Sequence, residues 1–119
     1  MYSNNDVTDI NSAIVAAKAL YKEGIENVMI SLGSKGAVLC NADGVFVAQV
    51  PNVDVVSTIG AGDSTIAGFL DGATKGLSSA KMLKNAVAYG SAACLKEGSA
   101  PPQKSDITAI YNKVIVYTL

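Results

Sequence analysis

The sequence has 119 residues, no histidine and a net charge of −1, from nine Lys and Arg against ten Asp and Glu. Without a basic cluster, a nucleic-acid partner is not expected. No apolar run reaches membrane-spanning length, and no signal-peptide pattern is visible, so a membrane partner is not expected either. The two cysteines, Cys40 and Cys94, lack metal-ligand spacing and are expected to be buried free thiols in a reducing cytoplasm.

Hydrophobic residues make up 50% of the chain and charged residues only 16%, whereas an average domain has about 25% charged residues. Such a deficit suits a sheet covered by helices on both faces. It suits equally a surface that docks against another part of a protein. A third source of the deficit would be tight packing of helices rich in alanine and glycine.

The first half of the chain predicts one helix followed by three strands. Asp6 or Thr8 is expected to cap the helix, which ends at Gly24 and whose apolar residues recur at helical spacing: Ile10, Ile14, Ala17 and Leu20. Residues 28–32 form a short apolar strand. Residues 37–40 and 45–50 flank Asn-Ala-Asp-Gly, a favoured hairpin turn. Residues 53–56 then lead, extended, into a glycine-rich turn.

The second half predicts three helices and a closing strand. The first helix covers about 61–75 and stops at Gly76, and Ser78 or Ser79 opens the next, which reaches Lys96. A short helix capped by Ser105 or Asp106 runs to about residue 111, and residues 114–117 form the last strand. With no repeat, linker or low-complexity tract, residues 1–119 are expected to form a single α/β unit.

The most informative segment is residues 57–70, Ser-Thr-Ile-Gly-Ala-Gly-Asp-Ser-Thr-Ile-Ala-Gly-Phe-Leu. It places a glycine-rich turn before a helix, whose first turn has backbone N–H groups without intrahelical partners and a partial positive charge. Gly60 and Gly62 would let an anion approach these amides and that of Ala61. Asp63 could accept the proton of a substrate hydroxyl during phosphoryl transfer. The alternative is a purely structural turn in which Asp63 caps the helix.

This segment resembles the second signature of the PfkB family of carbohydrate kinases (ribokinase-like) at every position. The resemblance implies the C-terminal part of a three-layer α/β/α fold, with ATP and Mg²⁺ as cofactors and Asp63 as the base that faces the sugar hydroxyl. The chain is less than half the usual family length. The family's sugar-binding residues, its lid of strands and its magnesium-linked Asn/Glu motif have no counterpart here, so the metal ligands are not identified. The sequence is therefore expected to be a fragment.

A second motif is Ser31-Leu32-Gly33-Ser34-Lys35-Gly36, between two predicted strands. Gly33 and Gly36 could expose backbone N–H groups as an anion nest does, and Ser31, Ser34 and Lys35 add hydroxyls and charge. In relatives the corresponding loop lies along ATP. The motif is not a Walker loop, and alone it could be an ordinary strand connection.

Asn85 is a third candidate, because relatives carry a polar residue there near the adenine. A solvated or partly packed asparagine is the alternative. A serine hydrolase, suggested by Gly62-Asp63-Ser64, would need a general base, and a chain without histidine cannot supply a Ser-His triad.

Within the family, the loop at 31–36 and the tail from 106 to 119 look most like the phosphosugar branch, which contains 1-phosphofructokinase and tagatose-6-phosphate kinase. That likeness implies a ketohexose phosphate as acceptor and a bisphosphate as product. A non-catalytic nucleotide-binding or oligomerisation module derived from the kinase fold remains the alternative. A homo-oligomer, or docking to the family's N-terminal portion, is expected.

Overall fold

The computed structural model describes residues 9–51, 61–95 and 104–119. In chain order these residues form α1 (Ile10–Lys22), β1 (Val28–Ser31), β2 (Ala37–Asn41), β3 (Gly44–Gln49), α2 (Ala61–Thr74), α3 (Ser79–Ala93), α4 (Lys104–Tyr111) and β4 (Ile115–Thr118), with a 3-10 turn at Gly33–Lys35. The predicted elements are thus present in the predicted order. The extended segment expected at 53–56 lies outside the described residues.

The strands form one antiparallel sheet in the order β1-β2-β3-β4. Asn41 pairs with Gly44 where the predicted hairpin closes. The turn is held by the Asp43 amide, which donates to Asn41 Oδ1 over 2.9 Å, and Gly44 has φ 129°. The closing strand begins one residue later than expected and pairs with β3, Ile115 opposite Gln49.

Helices cover both faces of the sheet, as the composition suggested. All five residues of β2 are buried, and their side chains alternate between the two faces. On one face Val38 and Val47 pack with Ala13 and Ala17 of α1. On the other face a larger core brings the strands together with α3, α4 and the residue directly before β4: Leu39, Phe46, Ala48, Leu83, Val87, Ile110 and Val114. The result is a three-layer α/β/α arrangement.

The helix starts differ in part from those expected. The cap of α1 is Asp9, not Asp6 or Thr8: its Oδ1 accepts from the Ser12 amide over 2.8 Å, and the Ser12 hydroxyl accepts from the Asp9 amide. Ser78 caps α3, as one of the two expected candidates. Helix α4 already begins at Lys104, so Ser105 and Asp106 lie inside its first turn.

Two helices end at the predicted glycines. After α1, the amides of Gly24 and Ile25 donate to Tyr21 and Leu20 carbonyls, and after α2 those of Gly76 and Leu77 donate to Ala73 and Gly72 carbonyls. These pairs of bonds form Schellman motifs. They require a left-handed residue, and φ is 107° at Gly24 and 70° at Gly76. α3 ends at Ala93, earlier than the expected Lys96, which is outside the described residues.

Of the cysteines, Cys40 is buried and Cys94 half-buried, both as free thiols.

Candidate functional site

The start of α2 contains two residues of the predicted site, Gly62 and Asp63. Gly62 and Asp63 lie in the first turn, and both are exposed. A Cβ added at Gly62 would meet no atom within 4 Å, and Gly62 is not among the glycines with positive φ. Glycine therefore contributes open space here rather than an unusual backbone conformation. Gly60 lies outside the described residues, and Ala61 is described only as the first helical residue.

The exposure of Gly62 and Asp63 suits the approach of an anion to this helix end. First-turn amides lack intrahelical acceptors, and the helix dipole adds partial positive charge at the same place. The Asp63 carboxylate is in the same turn and accessible to a ligand. The arrangement can therefore offer N–H donors to a phosphoryl group and a carboxylate to a nearby hydroxyl. That Asp63 and its flanking amides act in this way stays a prediction.

The 31–36 loop contains a 3-10 turn at Gly33–Lys35, and several of its amides donate to carbonyls within the loop itself. The amides of Leu32, Lys35 and Gly36 donate to the carbonyls of Gly36, Leu32 and Gly33 respectively. Gly33, whose amide is not among these donors and which is exposed, is thus the loop's candidate for an outside acceptor, and the predicted role of Ser34 stays a prediction. Ser31, which ends β1, and Gly33 are both exposed.

The two glycines of this loop face different surroundings. Gly33 has φ 59°, with nothing within 4 Å of an added Cβ, so it is open to a ligand. Gly36 has φ 120° and is buried, and an added Cβ would lie 2.6 Å from the Ala48 carbonyl oxygen and 3.2 Å from Ile10 Cδ1. Gly36 is therefore explained by close packing under β3 and α1. Its predicted contact with nucleotide stays a prediction.

Lys35 lies close enough to Asp9, the cap of α1, to affect that carboxylate. Hydrogen bonds from Ser12 are the main cause of the lowered pKa of Asp9, and the charge of Lys35 lowers that pKa further. Lys35 thus has an electrostatic role at the start of α1. This role places the loop beside α1 and does not exclude a second role toward nucleotide.

Asn85 is buried between α3 and α2. Its Nδ2 donates to the Gly68 carbonyl over 2.7 Å and to Asp71 Oδ2 over 3.2 Å. An amide nitrogen has two hydrogens, so both are used between the helices. Any contact of Asn85 with nucleotide would have to go through Oδ1, and that contact stays a prediction.

Sequence reasoning missed the polar cluster around Asn85. Asp71 Oδ2 also accepts from the Tyr89 hydroxyl over 3.2 Å and pairs with Lys75 Nζ at 3.0 Å. The hydrogen bond from Lys75 is the largest cause of the lowered pKa of Asp71. Burial, followed by the charge of Asp71, raises the pKa of Tyr89. The i, i+4 spacings of 71 with 75 and of 85 with 89 were visible in the sequence, but not that these pairs face each other.

Within the described residues, no group of three or more Cys, Asp or Glu side chains could hold a metal ion. No helix in the same ranges is both long enough and apolar enough to span a bilayer. Mg²⁺ usually binds through substrate phosphates with one or two carboxylates, and Asp63 is the exposed carboxylate at the α2 start. The described residues therefore do not form a metal site by themselves.

Comparison with known proteins gives consistent results. The 1-phosphofructokinase of Escherichia coli K12 is 35% identical over 114 residues, which cover 96% of this chain and 36% of that protein. That of Haemophilus influenzae Rd is 39% identical over 109 residues, covering 91% and 35%. The structure of phosphofructokinase-2 from E. coli in complex with substrates and products superposes with a TM-score of 0.82 at 30% identity, covering 90% of this chain and 35% of that one.

The chain thus spans only about a third of the length of these relatives. Their fold agrees with the three-layer arrangement described above, which confirms the expected fold class. The family model of pfkB carbohydrate kinases matches residues 1–106, most of the chain. The match includes the glycine-rich turn, the 31–36 loop and Asn85. This chain therefore belongs to the pfkB family of carbohydrate kinases.

Proposed function

We propose that this chain supplies the ATP-binding and base-bearing part of a kinase that phosphorylates a hydroxyl of a sugar phosphate. The observation that carries the proposal is the start of α2, where open space above Gly62 adjoins the exposed carboxylate of Asp63 in a helix's first turn. The similarity to 1-phosphofructokinases supports a ketohexose phosphate as acceptor. Tagatose 6-phosphate is also a ketohexose phosphate and is the second candidate acceptor.

The reaction requires little covalent chemistry from the protein. The acceptor oxygen bonds to the γ-phosphorus of ATP, the bond to the ADP oxygen breaks, and the hydroxyl proton moves to the Asp63 carboxylate. In a loose transition state this proton leaves late, so the position of the base matters more than its strength. The amides of Gly60, Ala61 and Gly62 would face the negative charge on the transferred group.

Nucleotide contacts are proposed for the 31–36 loop and for Asn85. The exposed Gly33 is the loop's best candidate for a contact with phosphate or ribose, and we propose that Ser31, Ser34 and Lys35 take part beside it. Mg²⁺ would arrive with the ATP phosphates and neutralise part of their charge. We place the protein in the cytoplasm, because Cys40 and Cys94 are free thiols and such thiols persist in a reducing compartment.

The decisive test is Asp63→Asn in an active kinase polypeptide that carries this chain, assayed by ADP release with ATP and fructose 1-phosphate or tagatose 6-phosphate. The substitution keeps the side-chain shape and removes the proton acceptor. We expect kcat to fall by about 10²–10⁴-fold with little change in ATP affinity. Near-normal turnover would exclude Asp63 as the base.

Gly62→Val is the companion variant for the nucleotide. A branched side chain above the first-turn amides should block phosphate approach, and its Cβ would meet no atom within 4 Å, so ATP affinity should fall with the fold retained. The competing function, a non-catalytic nucleotide-binding or oligomerisation module, predicts no turnover with either sugar phosphate and no effect of Asp63→Asn on any activity. Calorimetry with ATP beside the kinase assay separates the two.

A further inference from the structure

Helix α2, which carries Asp63, packs mainly against α3. Two glycines on α2 allow the close approach. An added Cβ at Gly68 would lie 2.7 Å from both the Asn85 carbonyl oxygen and Tyr89 Cγ, and one at Gly72 would lie 3.2 Å from Met82 Cα. The position of α2 therefore depends strongly on its contact with α3.

Three side chains add directional bonds to this contact. Asp71 of α2 accepts from Asn85 and Tyr89 of α3, one helical turn apart, and Asn85 also donates to the Gly68 carbonyl. We call Asp71, Asn85 and Tyr89 the interhelix clamp. Apolar contact is non-directional, whereas hydrogen bonds weaken steeply with misalignment. These bonds therefore oppose sliding or rotation of α2 along α3.

Asp71 of the interhelix clamp lies on the same helix as Asp63, about two turns after it. Asp71 follows Asp63 by eight residues, which is about 12 Å along a helix at 1.5 Å per residue. A continuous helix transmits a shift at one end to the other, and Gly62 and Asp63 lie exposed in the first turn of this helix. A displacement of about 1 Å at a reacting group can cost 10²-fold in rate.

We propose that Asp71 is a positioning residue for phosphoryl transfer. Through Asn85 and Tyr89 it sets the register of α2 on α3, and that register places the α2 amides and Asp63 against the transferred group. The inference rests on the proposed function of Asp63. It assigns to Asn85 a positioning role that holds whether or not Oδ1 also contacts nucleotide.

The first test measures position without activity. In the ¹⁵N-labelled chain at a concentration where it is monomeric, Asp71→Ala should shift the backbone resonances of Gly62 and Asp63 as well as those of the α2–α3 contact. Lys75→Ala is the local control, since it removes the ion pair to the same oxygen and leaves α3 untouched. Val38→Ala, a buried change on the α1 face, is the control for lost stability alone. We expect the resonances of Gly62 and Asp63 to shift in Asp71→Ala and to stay in place in both control variants.

The second test uses an active kinase polypeptide that carries the chain. Asp71→Ala should lower kcat by about tenfold or more, and Asp71→Asn, whose amide oxygen can still accept from Tyr89 and Asn85, should restore most of it. Shifts confined to the α2–α3 contact, or kcat unchanged in the folded Asp71→Ala protein, would overturn the positioning role. If Asp63→Asn proved fully active while the resonance shifts appeared as expected, the proposed function would fail and the register role of the clamp would stand.

Discussion

The two glycines of the 31–36 loop illustrate how one residue type can serve two purposes. Both have positive φ, but only Gly36 meets neighbouring atoms where a side chain would be. The sequence showed that both positions tolerate an unusual backbone. It could not show that Ala48, on another strand, lies against one of them, because that contact depends on sheet register. Gly36 therefore has a packing role, and a contact of this loop with nucleotide stays a prediction.

Alanine substitutions at Gly33 and Gly36 should distinguish the exposed glycine from the packed one by their cost in stability. Gly36→Ala combines a strained φ with a clash against backbone, and we expect a loss of about 3 kcal/mol or more in the free energy of unfolding. Gly33→Ala faces only the cost of a left-handed conformation, about 1–2 kcal/mol. Urea unfolding of the two variants beside the wild type provides the measurement. Equal losses would mean that β3 does not pack against Gly36 as described.

At the scale of elements, the local signals in the sequence were reliable where they acted alone. Gly24 and Gly76 each end a helix because no other residue nearby adopts the left-handed conformation as easily. Caps were harder to predict. Asp6, Thr8 and Asp9 compete within four residues, and the choice of Asp9 depends on its reciprocal bond with Ser12. The richness in alanine and glycine indicated tight helix packing as one option, but nothing in the local sequence showed that α2 pairs with α3.

Glycine substitutions along α2 should report this pairing. At Gly68 a methyl group would lie within 2.7 Å of the Asn85 carbonyl oxygen, so Gly68→Ala should separate the helices and cost about 1–3 kcal/mol or more. Gly62→Ala on the same helix meets nothing and should be neutral or stabilising by up to about 1 kcal/mol. Thermal unfolding monitored by circular dichroism tests the contrast. Similar midpoints for the two variants would argue against close α2–α3 contact.

The interhelix clamp should also be sensitive to pH at both extremes. Because the folded pKa of Asp71 is lowered, its contribution to stability is present above the ordinary aspartate value of about 3.9 and is lost as pH falls through the folded pKa. Because the folded pKa of Tyr89 is raised, its contribution is present below about pH 10 and is lost as pH rises through the folded pKa.

Unfolding midpoints of wild type, Asp71→Asn and Tyr89→Phe between pH 2 and 11 give the measurement. Asp71→Asn should flatten the acidic decline, and Tyr89→Phe should flatten the alkaline one. A wild type and variants that respond identically across the whole range would show that the two groups titrate alike in the folded and unfolded states.

At the scale of the whole molecule, large apolar side chains remain on the surface. Ile66 and Leu70, one turn apart on α2, are 54% and 57% exposed, and Ile115 and Leu119 on and after β4 are 59% and 61% exposed. Composition indicated this excess, since charged residues are too few to cover the surface. Periodicity could not indicate which face would stay uncovered, because α2 is apolar on the side facing α3 as well as on the opposite side.

These surfaces lead us to expect that the 119-residue chain self-associates and, on its own, binds ATP weakly with no detectable sugar-kinase activity. Contiguous exposed apolar surface favours association, and a kinase that holds donor, acceptor and metal in line needs all three groups positioned at once. The chain spans about a third of the length of its relatives, and of the residues proposed above only Asp63 would face the acceptor. ATP hydrolysis and sugar-phosphate assays should therefore stay at background.

Light scattering of paired variants would identify the surface responsible. Ile66→Ser with Leu70→Ser replaces two exposed residues on the uncovered side of α2, so it should shift the chain toward monomer without loss of helical content. Val15→Ser on α1, where a single side chain is 69% exposed, is the matched control and should leave association unchanged, because an isolated apolar residue buries little area between molecules. Equal effects of the α2 and α1 substitutions on light scattering would mean that association does not involve α2. In the kinase assay, robust turnover by a monomeric wild type would mean that the acceptor site lies within these 119 residues.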